Sequence, residues 1–444
     1  MSRARAPSRL PRSPIALALL AALAVAPCAH AQFLFGRLVP LPPETQANNN
    51  SQSVTVSRDG RVFAFSSGAT NWVPGSITGD KIIVVDFAQN VVQNLSTNSS
   101  NVALNGNSFS PSIAGNGRYV VFETFASNLG ITSSGFQIVR KDRQTGQLVV
   151  ASTNASGQAA TGSGSGQARD ASVSADGRFV VFRSDATNLI TGSGGNGHVY
   201  VKDLQTGAIE LVSQTTSGGF PTTGVSASTV HSMSADGRYV VFQTNAANIA
   251  SGVPGGTIQV YVRDRQTGTT ELVSRGPGGV VGNGQSDFAA ISPNGRFVSF
   301  RSFATNLGST LTTSRVFVRD RQAGTTTLVP LPVVNAQTAS GCRESDVADD
   351  GSVVYACFFS SIFDQVFLHV PGAPGTPFHV STGSGGTPGN NVSGASVAID
   401  ASGRSLAFQS LASNLVPGDT NNVNDIFILS DAAILDGLFA DGFE

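Results

Sequence analysis

Seven copies of a phrase close to S-x-D-G-R-aromatic-V-V-F run through this 444-residue chain, with glycines at Gly60, Gly117, Gly177, Gly237, Gly295, Gly351 and Gly403, spaced 52 to 60 residues apart. Self-similarity at that period marks a repeat architecture, because one such unit cannot bury its own apolar faces and must stack on its neighbours. The third unit shows the grammar. "ASVS", "RFVVF", "HVYVKD" and "IELVS" are short runs rich in Val, Phe, Tyr or Ile and bounded by Gly, Asp or Asn, the pattern of four β-strands. "ADG" joins the first two as a tight turn, where Gly177 takes positive φ at little cost. "DLQTG" joins the last two, with Asp203 placed to accept turn amides and Gly207 to close the bend. The pairing returns as Asp142 with Gly146, Asp264 with Gly268 and Asp320 with Gly324, which assigns these carboxylates to the scaffold.

Apolar positions keep the same register. Four residues before each hairpin glycine stand Val56, Ile113, Val173, Met233, Ile291, Val347 and Ile399, and five after it stand Phe65, Phe122, Phe182, Phe242, Phe300, Ala356 and Phe408. Radially arranged sheets need this, since both faces of each sheet press on neighbours and aromatics fill the gaps as the sheets splay. The spacing predicts an all-β, seven-bladed β-propeller of four-stranded antiparallel blades. The seventh unit supplies only three strands. "RLVPLP" at residues 37–42 repeats "TLVPLP" at 327–332, the fourth strand of the fifth unit, so it is expected to complete blade seven and close the ring.

Arg3, Arg5, Arg9 and Arg12 precede the apolar run "IALALLAALAVA" and an Ala-His-Ala site, the pattern of a secretory signal. Residues 1–31 are assigned to that signal, 32–431 to a single propeller domain and 432–444 to a short tail. Without the signal, 23 basic and 28 acidic residues leave a net charge of −5, which attracts neither nucleic acid nor an anionic membrane. No membrane insertion is expected, and a monomer is. Cys342 and Cys357 each lie seven residues from the nearer of Asp349 and Asp350, the expected hairpin turn. That spacing sets them opposite each other on adjacent strands, and an oxidising compartment favours a disulfide.

"SADGR" and "SPNGR", with the "VVF" that follows, resemble the SPDG-type repeat of TolB-like propellers, which are akin in architecture to WD-repeat propellers. The resemblance extends over about residues 32–431. It implies that the "ASVS" strand is innermost and that the loops after "VVF" and after "ELVS" share one face. TolB has six blades and an additional α/β domain where this chain counts seven units, so its envelope role does not transfer.

Whatever recurs with the glycines belongs to the scaffold, so function is sought where the recurrence breaks. Near the start of the innermost strands the units differ: Arg169 with Asp170, His231, Asp287, then Arg343, Glu344 and Asp346 are expected to crowd one end of the central channel. They form either a ligand-binding funnel or a ring of mutually paired charges. Asp419, Asn421 and Asp425 in "DTNNVND" supply oxygens at a loop spacing reminiscent of calcium sites, with an Asx-rich turn as the plainer reading. Asn71, Asn128, Asn188, Asn248, Asn306 and Asn414, after the second strands, are expected to anchor loops through their own backbone. No catalytic residue can be nominated among dozens of equivalent Ser and Asp residues, and the histidines lack metal-ligand spacing. The expected function is that of an exported, noncatalytic scaffold, periplasmic or extracellular, binding a protein or glycan partner through its loop face. The alternative is an extracellular lyase or hydrolase acting on a polymer at the channel mouth.

Overall fold

The computed structural model describes residues 33–40, 46–75, 78–132, 135–161, 168–221, 226–227, 231–373 and 375–431. The expected signal segment and tail lie outside the described residues. Seven four-stranded antiparallel sheets make the propeller. Blade three runs from the axis outward as Ala168–Val173, Phe179–Ser184, His198–Asp203 and Ile209–Leu211. Phe65, Phe122, Phe182, Phe242, Phe300, Ala356 and Phe408 are all buried. The six phenylalanines sit in apolar clusters that straddle neighbouring blades; one joins Phe63, Phe65 and Ile83 of blade one to Ala407, Ile426 and Ile428 of blade seven. Burying each such aromatic is worth about 1.5–3 kcal/mol, so adhesion between blades is the main apolar term.

An N-terminal strand does close the ring, but it is Phe33–Arg37 and not residues 37–42. It pairs with Asp425–Asp431 as the outermost strand of blade seven. Arg37 ends it, and Leu38 N donates to Ile426 O at 2.8 Å. In blade five the strand Thr325–Leu328 ends one residue further along the matching phrase, at its leucine. The shared phrase therefore marks a strand end, because Pro40 and Pro330 have no N–H to continue a ladder. Phe35 fixes the register by stacking on Phe408 and Phe427, with ring centroids 6.3 and 6.0 Å away.

The hairpin turns bind the blades to one another. Gly177 has φ of 75°, and a Cβ added there would lie 2.2 Å from the Tyr119 ring of blade two. Glycine is required twice over, for its backbone and for that approach. Beneath the turns a circle of backbone bonds passes from blade to blade: Arg58 N to Gly115 O, Gly115 N to Ala175 O, Ala175 N to Ala235 O, Ala235 N to Pro293 O, Asp349 N to Ala401 O, and Ala401 N to Arg58 O, at 2.8–3.2 Å. Pro293 has no N–H to give, and the gap is bridged by Asn294 N donating to Asp349 Oδ1 at 2.6 Å.

The repeated charges are absorbed in the same way. Asp142, Asp203, Asp264 and Asp320 accept the amide two residues on at 2.8–3.0 Å, as expected for turn carboxylates. Each is also gripped at both oxygens by the arginine of its own hairpin, Arg118, Arg178, Arg238 or Arg296. The Arg178 and Arg238 guanidiniums hold Asp203 and Asp264 well below the usual carboxylate range. Cys342 and Cys357 face each other in the ladder of blade six and form a disulfide.

The asparagines anchor loops by a different route from the one expected. Asn128 accepts Asn105 N and donates to Ala103 O, while Asn306 accepts Asn283 N and donates to Val281 O. Asn71, Asn188 and Asn414 repeat the clasp. Each side chain holds the connection that enters its blade, not its own backbone, and of the six only Asn248 has positive φ.

Candidate functional site

Every innermost strand of blades one, two, three, five, six and seven carries a break in register near its start. In four of them a non-glycine residue stands seven before the hairpin glycine with left-handed backbone: Ser53, Ser110, Asp170 and Phe288, at φ of 56°, 47°, 55° and 48°. Such bulges leave a backbone N–H off the ladder and are costly unless the surroundings hold them. In three of the four a side chain from the preceding blade does so. Gln409 Oε1 accepts Ser53 N at 3.2 Å, Glu123 Oε1 accepts Asp170 N at 2.7 Å and Gln243 Oε1 accepts Phe288 N at 2.8 Å.

The seven residues expected at the mouth separate into three groups. Arg169 and Asp170 lie at the junction of blades two and three. The Arg169 guanidinium sits 4.2 Å from the centre of the Phe136 ring, which packs with Phe109 and Phe125. Burial pushes Glu123 up to about 7, even though it accepts the Asp170 amide, and raises Asp170 too.

Asp287, Arg343 and Glu344 lie at the junction of blades five and six. Asp287 takes both ends of Arg301 at 2.6 and 2.7 Å, and Arg343 pairs with Asp364 at 2.5 Å. Burial drives Glu344 up to about 7 against the pull of Arg343 and Arg301. Arg301 is flanked by Phe288 and Phe303, at 4.3 and 5.4 Å from the ring centres. Beside it opens a groove of about 570 Å³ lined by Arg301, Phe303, Ser314, Arg343, Phe358 and Asp364 among others.

His231 and Asp346 form the third group, away from the mouth charges and inside the channel. His231 Nδ1 is 2.9 Å from Asp346 Oδ2, and Nε2 is 3.2 Å from Thr55 Oγ1. Burial disfavours the imidazolium, but the charge and hydrogen bond of Asp346 outweigh it, so the His231 pKa stands above its ordinary value. Thr55, Glu123, Arg301 and Asp364 were not singled out from the sequence. Glu123 and Arg301 could have been, since the position six after the hairpin glycine reads Ser, Glu, Arg, Gln, Arg, Cys, Gln around the ring.

Asp419, Asn421 and Asp425 are brought together, with an arginine among them. Arg37 Nη1 lies 2.8 Å from Asp419 Oδ1 and 3.0 Å from Asp425 Oδ2, and Asn421 Nδ2 donates to Asp425. Burial raises Asp425 to about 6 despite the Arg37 charge. The closing strand thus contributes its last residue to this loop.

No family model matches the sequence, and no curated protein matches it. Solved β-propellers do. The β-propeller domain of the Trilobed protease from Pyrococcus furiosus is similar over 87% of this chain and 94% of that one, at 10% identity and a TM-score of 0.52. Oligogalacturonate lyase in complex with manganese is similar over 96% and 99%, at 12% identity and a TM-score of 0.51. TolB from Acinetobacter baumannii shares 15% identity over 71% of this chain, with a TM-score of 0.40, and this chain spans 62% of its length. The likeness is one of fold. The Pyrococcus domain has an open velcro topology, whereas here the N-terminal strand pairs within blade seven.

Proposed function

We propose that this propeller is an exported binding protein whose loop face takes a protein partner. The observation that carries the reading is the exposure of Phe125, Phe288 and Phe303 on the loop-face rim, at 46%, 39% and 38%. They belong to two phenylalanine–arginine clusters three blades apart in a ring of seven, on roughly opposite sides of the channel mouth. Aromatic rings and arginine are the residue types enriched where protein partners meet. Arg301 and Arg343 already spend their charge on Asp287 and Asp364. A glycan's hydroxyls would want unpaired donors and acceptors there, while an apolar side chain of a protein would not. The disulfide supports an oxidising compartment, periplasmic or extracellular.

The test is capture from native envelope and culture medium by the wild type and by a Phe125→Ser, Phe303→Ser double variant. A partner held by the wild type and lost by the folded variant is expected; equal capture by both overturns the reading. A calcium ion at Asp419, Asn421 and Asp425 would have to displace the Arg37 guanidinium, and a calcium-dependent rise in melting temperature would report it.

A further inference from the structure

The channel wall carries a constellation that loop-face binding does not use. Five residues before the hairpin glycine, blades one, two, three and six present Thr55, Ser112, Ser172 and Asp346, all lining one cavity. His231 of blade four joins them at a departure from the repeat. Eleven residues separate Ser226, the first paired residue of that innermost strand, from Gly237, where nine separate Ala168 from Gly177.

The contacts run in one direction. Asp346 is held in place, with Oδ2 accepting Ile399 N and Oδ1 accepting Val347 N, both at 2.9 Å. Its Oδ2 is 2.9 Å from His231 Nδ1, and Nε2 is 3.2 Å from the Thr55 hydroxyl. With the ring proton on Nδ1 toward the carboxylate, Nε2 accepts the threonine proton. A hydroxyl, a base within hydrogen-bond reach and a third group orienting the base make the arrangement that activates an oxygen nucleophile. The cavity measures about 70 Å³, so the acyl group it can admit is small.

We propose that Thr55 is a nucleophile toward small acyl donors, with His231 as its general base and Asp346 as the positioning residue. Thr55 Oγ1 bonds to the carbonyl carbon of the donor while its proton passes to His231 Nε2. The bond from that carbon to the departing oxygen then breaks, and the departing oxygen takes the proton back from Nε2. Acyl-Thr55 is left, and water attacking by the same route releases the acid. The Ser112 and Ser172 hydroxyls on the cavity wall are the donors available to the transient oxyanion. Arg58, His231 and Asp346 are the charged or titratable groups that line it. This activity is separate from loop-face binding, and the Phe125→Ser, Phe303→Ser variant retains it.

The experiment is incubation of the full chain with p-nitrophenyl acetate, followed by peptide mapping. One acetyl group on the Thr55 peptide is expected in the wild type, retained in Thr55→Ser and absent in Thr55→Val. His231→Gln, checked for an unchanged fold by circular dichroism, should acetylate at least about 100-fold more slowly. The wild-type rate should rise with pH as the imidazolium deprotonates, and Asp346→Asn should move that rise to lower pH, a shift that a purely structural carboxylate would not produce. A folded wild type whose Thr55 peptide stays unmodified, or a His231→Gln variant acetylated at the wild-type rate, overturns the proposal.

Discussion

On the turn face, Arg118, Arg178, Arg238 and Arg296 each grip the aspartate of their own blade, and Arg143, Arg265 and Arg321 reach back to Asp86, Glu210 and Glu271 of the blade before. On the loop face arginines again lie on aromatic rings, as Arg178 lies on Phe179 and Arg296 on Phe297 at the turns, but Phe125, Phe288 and Phe303 there are open to solvent where the turn-face rings are half-buried. The difference follows from the chain path. Turns at the hairpin end are short and nearly identical, so their geometry can be met by one set of residues in every blade. Connections at the other end differ in length and composition, and they free the strand ends beside them to diverge.

Glycines give the sharpest way to break this comparison. Gly177→Val on the turn face meets both a left-handed backbone and the Tyr119 ring, and should cost about 3–5 kcal/mol in denaturant unfolding. Gly194, in a loop-face connection, also has positive φ but nothing within 4 Å of an added Cβ. Gly194→Ala should cost only about 1 kcal/mol. Equal losses at the two sites would remove the distinction between the faces.

A smaller effect is expected at Glu123. Its folded pKa is raised to about 7, so the stability tied to its neutral form is complete below the ordinary glutamate value and is lost as pH rises through about 7. Gln409 and Gln243 do the same job in blades seven and four, which makes Glu123→Gln a substitution the ring already uses. The variant should match the wild type near pH 4 and exceed it at pH 8 by on the order of 2–3 kcal/mol. A constant difference across that range would mean that Glu123 does not titrate there. Smallest of all, Phe303→Ser on the rim should change stability by no more than about 0.5 kcal/mol, measured by thermal melt, because the ring is already 38% exposed.

The scaffold was legible because it repeats. The hairpin glycine recurs seven times, the phenylalanine five residues after it six times and the Asp-Gly turn four times in the same chain, and all fell where the period put them. "RLVPLP" misplaced the closing strand because the resemblance lay in how two strands end, and the strand itself, "FLFGR", looks like no other unit. The asparagine clasps were missed for another reason: their partners sit 23 to 29 residues away across a loop, a distance that local turn chemistry does not see. The mouth charges were chosen by departure from the repeat. What one sequence could not supply was their grouping. His231 and Asp346 are 115 residues apart and meet only because blades four and six face the same axis. Thr55 was hidden because threonine beside Ser112 and Ser172 looks like repetition.

The division between faces is tested most directly by site-specific photocrosslinking in cells that produce the protein. A photoreactive phenylalanine analogue placed at Phe125 or Phe303 on the loop face, and in parallel at Arg61 or Gln144 on the turn face, reports which face meets a partner. Crosslinked species from the loop-face positions and none from the turn-face positions are predicted. Crosslinks arising chiefly from Arg61 or Gln144 would contradict the account.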